Sequence, residues 1–157
     1  GVSSAMAAAA AAGECLTLPE VTQTVIFTRF AGRTPMPAGE SFAALAKHGC
    51  TLCIFLSIER IAAVAEALVA AGWSADAPVV VVHKATWPGE EQVLRGSIGD
   101  IAERCRAAGI ERQAMILVSP ALGARQRAPA ATSKQFSADC VFPAATHAAK
   151  PSRSMPG

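Results

Sequence analysis

Three short runs of almost continuous apolar residues constrain the fold of this chain more than any other feature. They lie at Thr51–Leu56, Pro78–Val82 and Met115–Val118, and they are rich in Val, Ile and Leu. Strands that are covered on both faces have this composition, because neither face turns its side chains to water. Segments with helical apolar spacing separate the runs. We therefore predict an α/β domain in which helices flank a layered, largely parallel sheet.

The other elements are predicted from apolar spacing, capping residues and β-branched content. Ser57 is expected to cap the helix after it, because a serine at this position can accept a backbone N–H. Gly13, Gly72 and Gly109 are expected to follow helix ends, where a left-handed backbone is common. The predicted elements are a short alanine-rich helix that follows a serine cap and ends near Gly13, a strand at Gln23–Arg29, a helix over residues 40–48, a helix after Ser57, a strand at Gln92–Gly96 and a helix at Ser97–Ala108.

Charge and composition change after residue 122. Residues 1–122 carry 9 Lys and Arg against 11 Asp and Glu, a net charge of −2, whereas residues 123–157 carry 5 against 1, a net charge of +4. Apolar periodicity also disappears there, and Ala, Pro, Ser, Lys and Arg dominate. We predict one domain over residues 1–122 and a disordered basic tail over residues 123–157.

The formal charge of the whole chain is only +2, which gives no reason to expect a nucleic-acid or membrane partner. No uncharged apolar run reaches the roughly 18 residues that a membrane span needs. The five cysteines are odd in number and scattered, which favours free thiols in a reducing cytoplasm. The alanine-rich start lacks the basic segment of a signal peptide. We predict a cytoplasmic protein.

His48, Cys50 and Cys53 have some likeness to half of a zinc site, because Cys-x-x-Cys is a common ligand spacing. A second pair with suitable spacing is missing from the sequence. An odd separation along a strand also turns two side chains to opposite faces. We predict core cysteines and no metal site.

Ligands of open α/β sheets bind beyond the carboxyl ends of the strands. In this chain those ends are Arg29–Pro35, Leu56–Ser57, His83–Pro88 and Ser119–Leu122. We therefore expect function to lie in these four loops.

Arg29 and Arg33 are candidates for binding an anion, because a guanidinium group can hold a carboxylate or phosphate with two parallel hydrogen bonds. Gly32 and Pro35 suggest that their loop is ordered. The alternative is that both are solvated surface arginines. Trp87 could be a stacking surface at a pocket mouth or a packed anchor of its loop.

His83 and Lys84 could add positive charge for an acidic ligand, although both could also be solvated. The turn from Gly1 to Ser4 offers backbone N–H groups and hydroxyls at a helix start. The sequence contains no nucleophile motif, phosphate-binding loop or metalloprotease motif. An enzyme built on this chain would work mainly by positioning a reactive ligand.

Several segments resemble one enzyme family: GVSSAMAAAAAAGECLTLPEVTQTVIFTRFAGRTPMP, KHGCTLCIFLS, VVVVHKATWPGEEQVLRGSIGDIAERCRAAGI and MILVSPAL. They are similar to the S-adenosylmethionine-dependent tetrapyrrole methylases of cobalamin biosynthesis, in the branch that methylates C11 of precorrin-4. The resemblance covers residues 1 to about 122 and corresponds to the carboxyl-terminal half of that family. Nothing in the sequence resembles the family's amino-terminal domain.

The resemblance implies a second α/β domain, with S-adenosyl-L-methionine bound between the two, and a homodimer. It places Ser3, Ser4, Leu56 and Ala85 against the cofactor, with the Ser119–Pro120 turn as a weaker candidate. Three residues would face the carboxylate-bearing tetrapyrrole substrate, namely Arg29, Arg33 and Trp87. No general base is assigned.

The resemblance implies methyl transfer to C11 of precorrin-4 or its cobalt form, and it leaves open which of the two. Half of a cofactor cleft is expected to be inactive by itself. Two alternatives remain: a methyltransferase for another tetrapyrrole such as uroporphyrinogen III, and a non-catalytic dimerisation remnant.

Overall fold

The computed structural model describes residues 1–123, so the predicted tail at 123–157 lies, apart from Gly123, outside the described residues. A short 3-10 turn at Ile58–Arg60 precedes the third helix. The elements in chain order are α1 (Ser4–Ala12), β1 (Val25–Arg29), α2 (Phe42–Ala46), β2 (Thr51–Phe55), α3 (Ile61–Ala70), β3 (Pro78–His83), β4 (Gln92–Ser97), α4 (Ile101–Ala107) and β5 (Ala114–Val118).

The five strands form one sheet in the order β1-β2-β5-β3-β4. β1 and β2 are parallel, whereas β5 runs antiparallel to both β2 and β3, and β3 and β4 are antiparallel. The prediction of a largely parallel sheet is therefore wrong. An apolar run indicates that both faces of a strand are buried, but it carries no information about the direction in which that strand pairs.

Helices cover both faces of this sheet, which confirms the layered α/β prediction. Alternate side chains of β3 enter two separate cores: Val79 and Val81 pack with α2, α3 and α4, while Val80 and Val82 pack with α1. Both sides of the central strands are thus removed from water, which explains their almost continuous apolar sequences.

The alanine-rich segment forms α1, as predicted. Ala5 and Ala8 are completely buried, and their small side chains let the helix lie close to β3 and β5. Gly13 follows the helix with a left-handed backbone (φ 63°), and its N–H donates to the carbonyl of Ala10. This is the helix end that the sequence predicts.

Ser57 lies at the N-cap position of the 3-10 turn that precedes α3, but its hydroxyl makes no capping hydrogen bond, contrary to prediction. Its hydroxyl accepts the Phe30 N–H (2.8 Å) and donates to the carbonyl of Phe55 (2.6 Å). Ser57 therefore ties the end of β1 to the end of β2, a contact between segments that sequence spacing does not reveal.

No helix within residues 1–123 has the length and apolar character needed to cross a membrane.

Candidate functional site

A cavity of about 410 Å³ opens at the edge of the sheet where β2 and β3 end and β5 begins. Its wall is built by the start of α1, the segment after β2, the β3–β4 loop and the segment that enters β5. The lining residues are Ser4, Phe55, Leu56, Ile58, Glu59, Val82, Lys84, Ala85, Trp87, Glu111, Arg112, Gln113, Ala114 and Met115.

Five residues singled out from the sequence meet in this cavity. Ser4 comes from the first turn of α1, Leu56 from the end of β2, and Lys84, Ala85 and Trp87 from the loop after β3. Ser3 lies beside them as the residue before α1, but it does not line the cavity. The structure thus brings together side chains that are up to 83 positions apart in the chain.

The Ser119–Leu122 loop lies at the opposite edge of the sheet. Because β5 is antiparallel to β2, Val118 pairs with Leu52 at the beginning of β2. Ser119 is completely buried, and its hydroxyl lies 2.5 Å from the hydroxyl of Thr51. The expectation that this loop shares the ligand edge is therefore wrong, and the weaker cofactor candidate Ser119–Pro120 lies away from the cavity.

The segment that replaces it, Glu111–Met115, was not predicted. It enters the cavity at the start of β5, with Arg112 and Gln113 among the lining residues. Its sequence carries no ligand-binding motif, and only the reversed direction of β5 brings it to this edge. Knowing the strand direction would have been necessary to find it.

Backbone conformations that are rare for residues other than glycine cluster around the cavity. Leu56 (φ 51°), Lys84 (φ 49°), Thr86 (φ 69°) and Gln113 (φ 56°) are left-handed, and within residues 1–123 only Glu20 is a further non-glycine case. Such conformations cost free energy and tend to occur where ligands bind. Their position here supports a functional role for this edge.

The β3–β4 loop is held by its own polar groups. The Lys84 ammonium pairs with the carboxylate of Glu90, and it lies 5.3 Å from the centre of the Trp87 ring. The Thr86 N–H donates to the carboxylate of Glu91 (2.6 Å). These contacts keep Trp87 in place although its side chain is about half exposed (46%).

Arg29 lines a different and more open cavity of about 650 Å³, which shares Phe55 with the first. Its guanidinium group donates to the carbonyls of Thr34 (3.0 Å) and Pro35 (2.8 Å). Arg29 therefore orders the loop that carries Arg33, while Arg33 is exposed and lines neither cavity.

His83 does not line the first cavity, although Lys84 beside it does. The His83 Nδ1 atom is buried and has no hydrogen-bond partner. Cys50 and Cys53 are buried free cysteines, and burial raises the pKa of the Cys53 thiol to about 11. Within residues 1–123, no three His, Cys, Asp or Glu side chains are grouped closely enough to hold a metal ion.

A mostly apolar cavity at strand ends, bordered by a few polar groups and rare backbone conformations, is typical of α/β domains that bind small molecules. The family model for Tetrapyrrole (Corrin/Porphyrin) Methylases matches residues 1–102. The chain belongs to this family.

Among its relatives, a cobalt-precorrin-4 C(11)-methyltransferase of Priestia megaterium is 52% identical over 122 residues, which are 78% of this chain and 47% of the relative. A precorrin-4 C(11)-methyltransferase of Pseudomonas aeruginosa is 48% identical, over 79% of this chain and 49% of its own length. The X-ray structure of a cobalt precorrin-4 methyltransferase superimposes with a TM-score of 0.75 at 52% identity, over 78% of this chain and 51% of that one.

A uroporphyrin-III C-methyl transferase from Thermus thermophilus, solved with S-adenyl homocysteine, shares the fold (TM-score 0.63, 17% identity, 79% of this chain and 52% of that one). The chain spans about half the length of the curated relatives it matches. The family match lies over the amino-terminal part of this chain and does not support its assignment to the carboxyl-terminal half of the family.

Proposed function

We propose that this chain supplies one wall of a methyl-transfer site, in which S-adenosyl-L-methionine methylates C11 of precorrin-4 or cobalt-precorrin-4 in cobalamin biosynthesis. One relative is named for cobalt-precorrin-4 and is 52% identical to this chain, and another is named for precorrin-4 and is 48% identical. Because the chain spans about half of their length, we propose that the isolated chain is inactive and that the rest of the site comes from the remaining half.

The observation that carries this proposal is the convergence of Ser4, Leu56 and Ala85 on one cavity. These positions are implied by the resemblance to the family, whereas the cavity follows from the shape of the folded chain. In the proposal the three residues contact the cofactor, and Ser3 contributes from the helix start. The side chain of Leu56 is 91% exposed, so it is available for an apolar contact.

The substrate side of the proposal uses Arg29, Arg33 and Trp87. The exposed Arg33 is free to meet a carboxylate of the tetrapyrrole, and Arg29 keeps three guanidinium N–H groups beyond the two that bind its loop. The larger cavity beside Arg29 adjoins the first one at Phe55. In the proposal the substrate extends from the Arg29 cavity past Phe55 to Trp87, which lines the cavity that also holds the methyl donor.

The chemistry requires little from the protein beyond position. The sulfonium methyl group is electrophilic, so the acceptor carbon uses an electron pair to form the new carbon–carbon bond. The methyl–sulfur bond breaks, and sulfur keeps its electron pair as a neutral thioether. Holding the two partners in line and excluding water can supply much of the acceleration.

The test joins this chain to the part of the Priestia megaterium relative that it does not span, and measures methyl transfer to cobalt-precorrin-4. The joined protein should transfer the methyl group.

Replacing Ala85 with Leu should weaken cofactor binding roughly tenfold or more, since about 1.4 kcal/mol of lost affinity corresponds to that factor. The control is Ala70→Leu on the exposed end of α3. A joined protein that folds but binds neither the cofactor nor its demethylated product contradicts the proposal.

We also propose that the chain forms a homodimer and works in the cytoplasm. Exposed large apolar side chains outside the proposed cofactor site support pairing; they include Val2, Met6, Val21 and Phe27. Sedimentation equilibrium should give twice the chain mass, and a monomer at micromolar concentration would contradict the pairing.

A further inference from the structure

The indole ring of Trp87 is positioned by two charged neighbours in its own loop. The Lys84 ammonium lies 5.3 Å from the ring centre, a distance at which a cation is attracted to an aromatic face. Glu90 pairs with the same ammonium and so fixes the position of the cation. The ring nevertheless borders the cavity, and Trp87 is 46% exposed, so part of it remains available to a ligand.

The backbone below the ring is fixed as well. The Lys84 N–H donates to the carbonyl of Gln113 (2.8 Å), and the Trp87 N–H donates to the carbonyl of Lys84 (3.0 Å). The N–H groups of Glu90 and Glu91 both donate to the carbonyl of Trp87 (3.1 Å each). The loop is therefore ordered before any ligand arrives, although Trp87 is about half exposed (46%).

We propose that Trp87 is a stacking wall for a flat, conjugated ring, and that Lys84 and Glu90 are the residues that position it. The inference rests on the proposed function, which offers two such rings: the purine of the methyl donor and the tetrapyrrole. Trp87 lines the cavity that also contains Ser4, Leu56 and Ala85.

Fixing the Trp87 ring before a ligand binds should strengthen the stacking contact. Stacking on an aromatic side chain strengthens the binding of a base roughly 5- to 150-fold, and the gain is largest when no side-chain freedom is lost on binding. The ion pair with Glu90 and the contact with Lys84 restrict the ring in advance. Removing Lys84 should therefore weaken ring binding because Trp87 loses its fixed position.

The chain contains two tryptophans, which allows a direct optical test. Trp73 donates its indole N–H to the carbonyl of Ala46 (2.8 Å) and does not line this cavity. In a Trp73→Phe variant of the 157-residue chain, Trp87 is the single fluorophore. S-adenosylhomocysteine or adenosine should quench it if the purine stacks, whereas uroporphyrin III alone should do so if the tetrapyrrole stacks, after correction for absorption.

Variants separate stacking from positioning. Trp87→Ala should weaken binding of the stacking probe at least about fivefold, as saturation-transfer NMR can measure, and Trp87→Phe should keep most of it. Lys84→Met should lower the fluorescence anisotropy of Trp87 and weaken the same probe, while Lys84→Arg, which can still pair with Glu90, should restore both values. Melting temperatures of the variants report any general loss of structure.

Each result decides the inference. Unchanged probe affinity in Trp87→Ala overturns it, as does failure of both probes to bind the Trp73→Phe chain at millimolar concentration. Unchanged anisotropy in Lys84→Met overturns the positioning role. Methyl transfer by the joined protein is measured separately, so the proposed function stands if transfer occurs while Trp87 proves dispensable.

Discussion

At the scale of single residues, Glu14 joins three distant segments through one carboxylate. Its side chain is only 4% exposed, and it pairs with the guanidinium of Arg95 in β4. The same guanidinium donates to the carbonyl of Ala12 (2.5 Å), and the second carboxylate oxygen of Glu14 accepts the Gly123 N–H (3.0 Å). The end of α1, an edge strand and the end of the described chain are therefore held at one point.

Replacing Glu14 with Gln should lower the free energy of unfolding by about 1–3 kcal/mol, because hydrogen bonds to a charged group are lost and Arg95 is left without its anion. Urea unfolding measures the change. The matched control is Glu66→Gln on the exposed side of α3, where we expect almost no effect. Equal losses in both variants would contradict this role for Glu14.

Residue roles were predicted well where one local segment decides them. Gly13 ends α1 as expected, because a left-handed turn after a helix favours glycine. The sequence did not indicate the hydrogen bonds that Ser57 and Arg29 make, because their partners are backbone carbonyl and N–H groups that a local pattern does not identify. The Glu14–Arg95 pair spans 81 positions, and no sequence pattern indicates it.

At the scale of elements, β4 and α4 fit together because Gly96 has no side chain. A Cβ atom there would lie 2.5 Å from Asp100 Oδ1 and 3.0 Å from Arg104 Cδ. Asp100 Oδ1 accepts the Ser97 N–H (2.7 Å), and its other oxygen accepts from Arg104 Nε (2.6 Å). An added methyl group would displace this network at the start of α4.

Gly96→Ala should therefore destabilise the fold by about 1–3 kcal/mol, as overpacking usually does. Gly32→Ala is a suitable control, because nothing lies within 4 Å of a Cβ built at that position. Thermal unfolding followed by circular dichroism should show a lower midpoint for the first variant alone. A similar shift in both would contradict the steric explanation.

The elements themselves were largely predictable from the sequence, since both periodicity and apolar runs depend on local residues. The buried strands, the alanine-rich helix and the strand at Gln92–Ser97 all occur close to their predicted positions. The direction of β5 was not predictable, because an apolar strand can pair in either sense. Because of that error, Ser119 was predicted at the wrong edge of the sheet and Gln113 was not predicted to line the site.

At the scale of the whole molecule, burial of thiols links stability to alkaline pH. Cys53 is completely buried in the core between α1 and the sheet, and burial raises its pKa from 9.0 to about 11. Burial also raises the pKa values of Cys50 and Cys105. Between these pH values the unfolded chain releases a thiol proton that the folded chain keeps.

The contribution of Cys53 to the free energy of unfolding should therefore be constant below pH 9. It should fall as the pH rises from 9 towards 11. Urea unfolding at successive pH values measures the slope. Cys53→Ala should make the slope shallower, whereas Cys15→Ala, at an exposed position, should leave it unchanged. An unaltered slope in Cys53→Ala would contradict the assignment.

The position of β5 has a consequence for how the protein forms during synthesis. Of the strands within residues 1–123, the one that is made last, β5, lies in the middle of the sheet, between β2 and β3. Until Val118 has left the ribosome, β1–β2 and β3–β4 are two separate ribbons with open inner edges. The ribbons can join only when β5 inserts between them, so nascent chains that stop before Ala114 should expose two unpaired edges and aggregate.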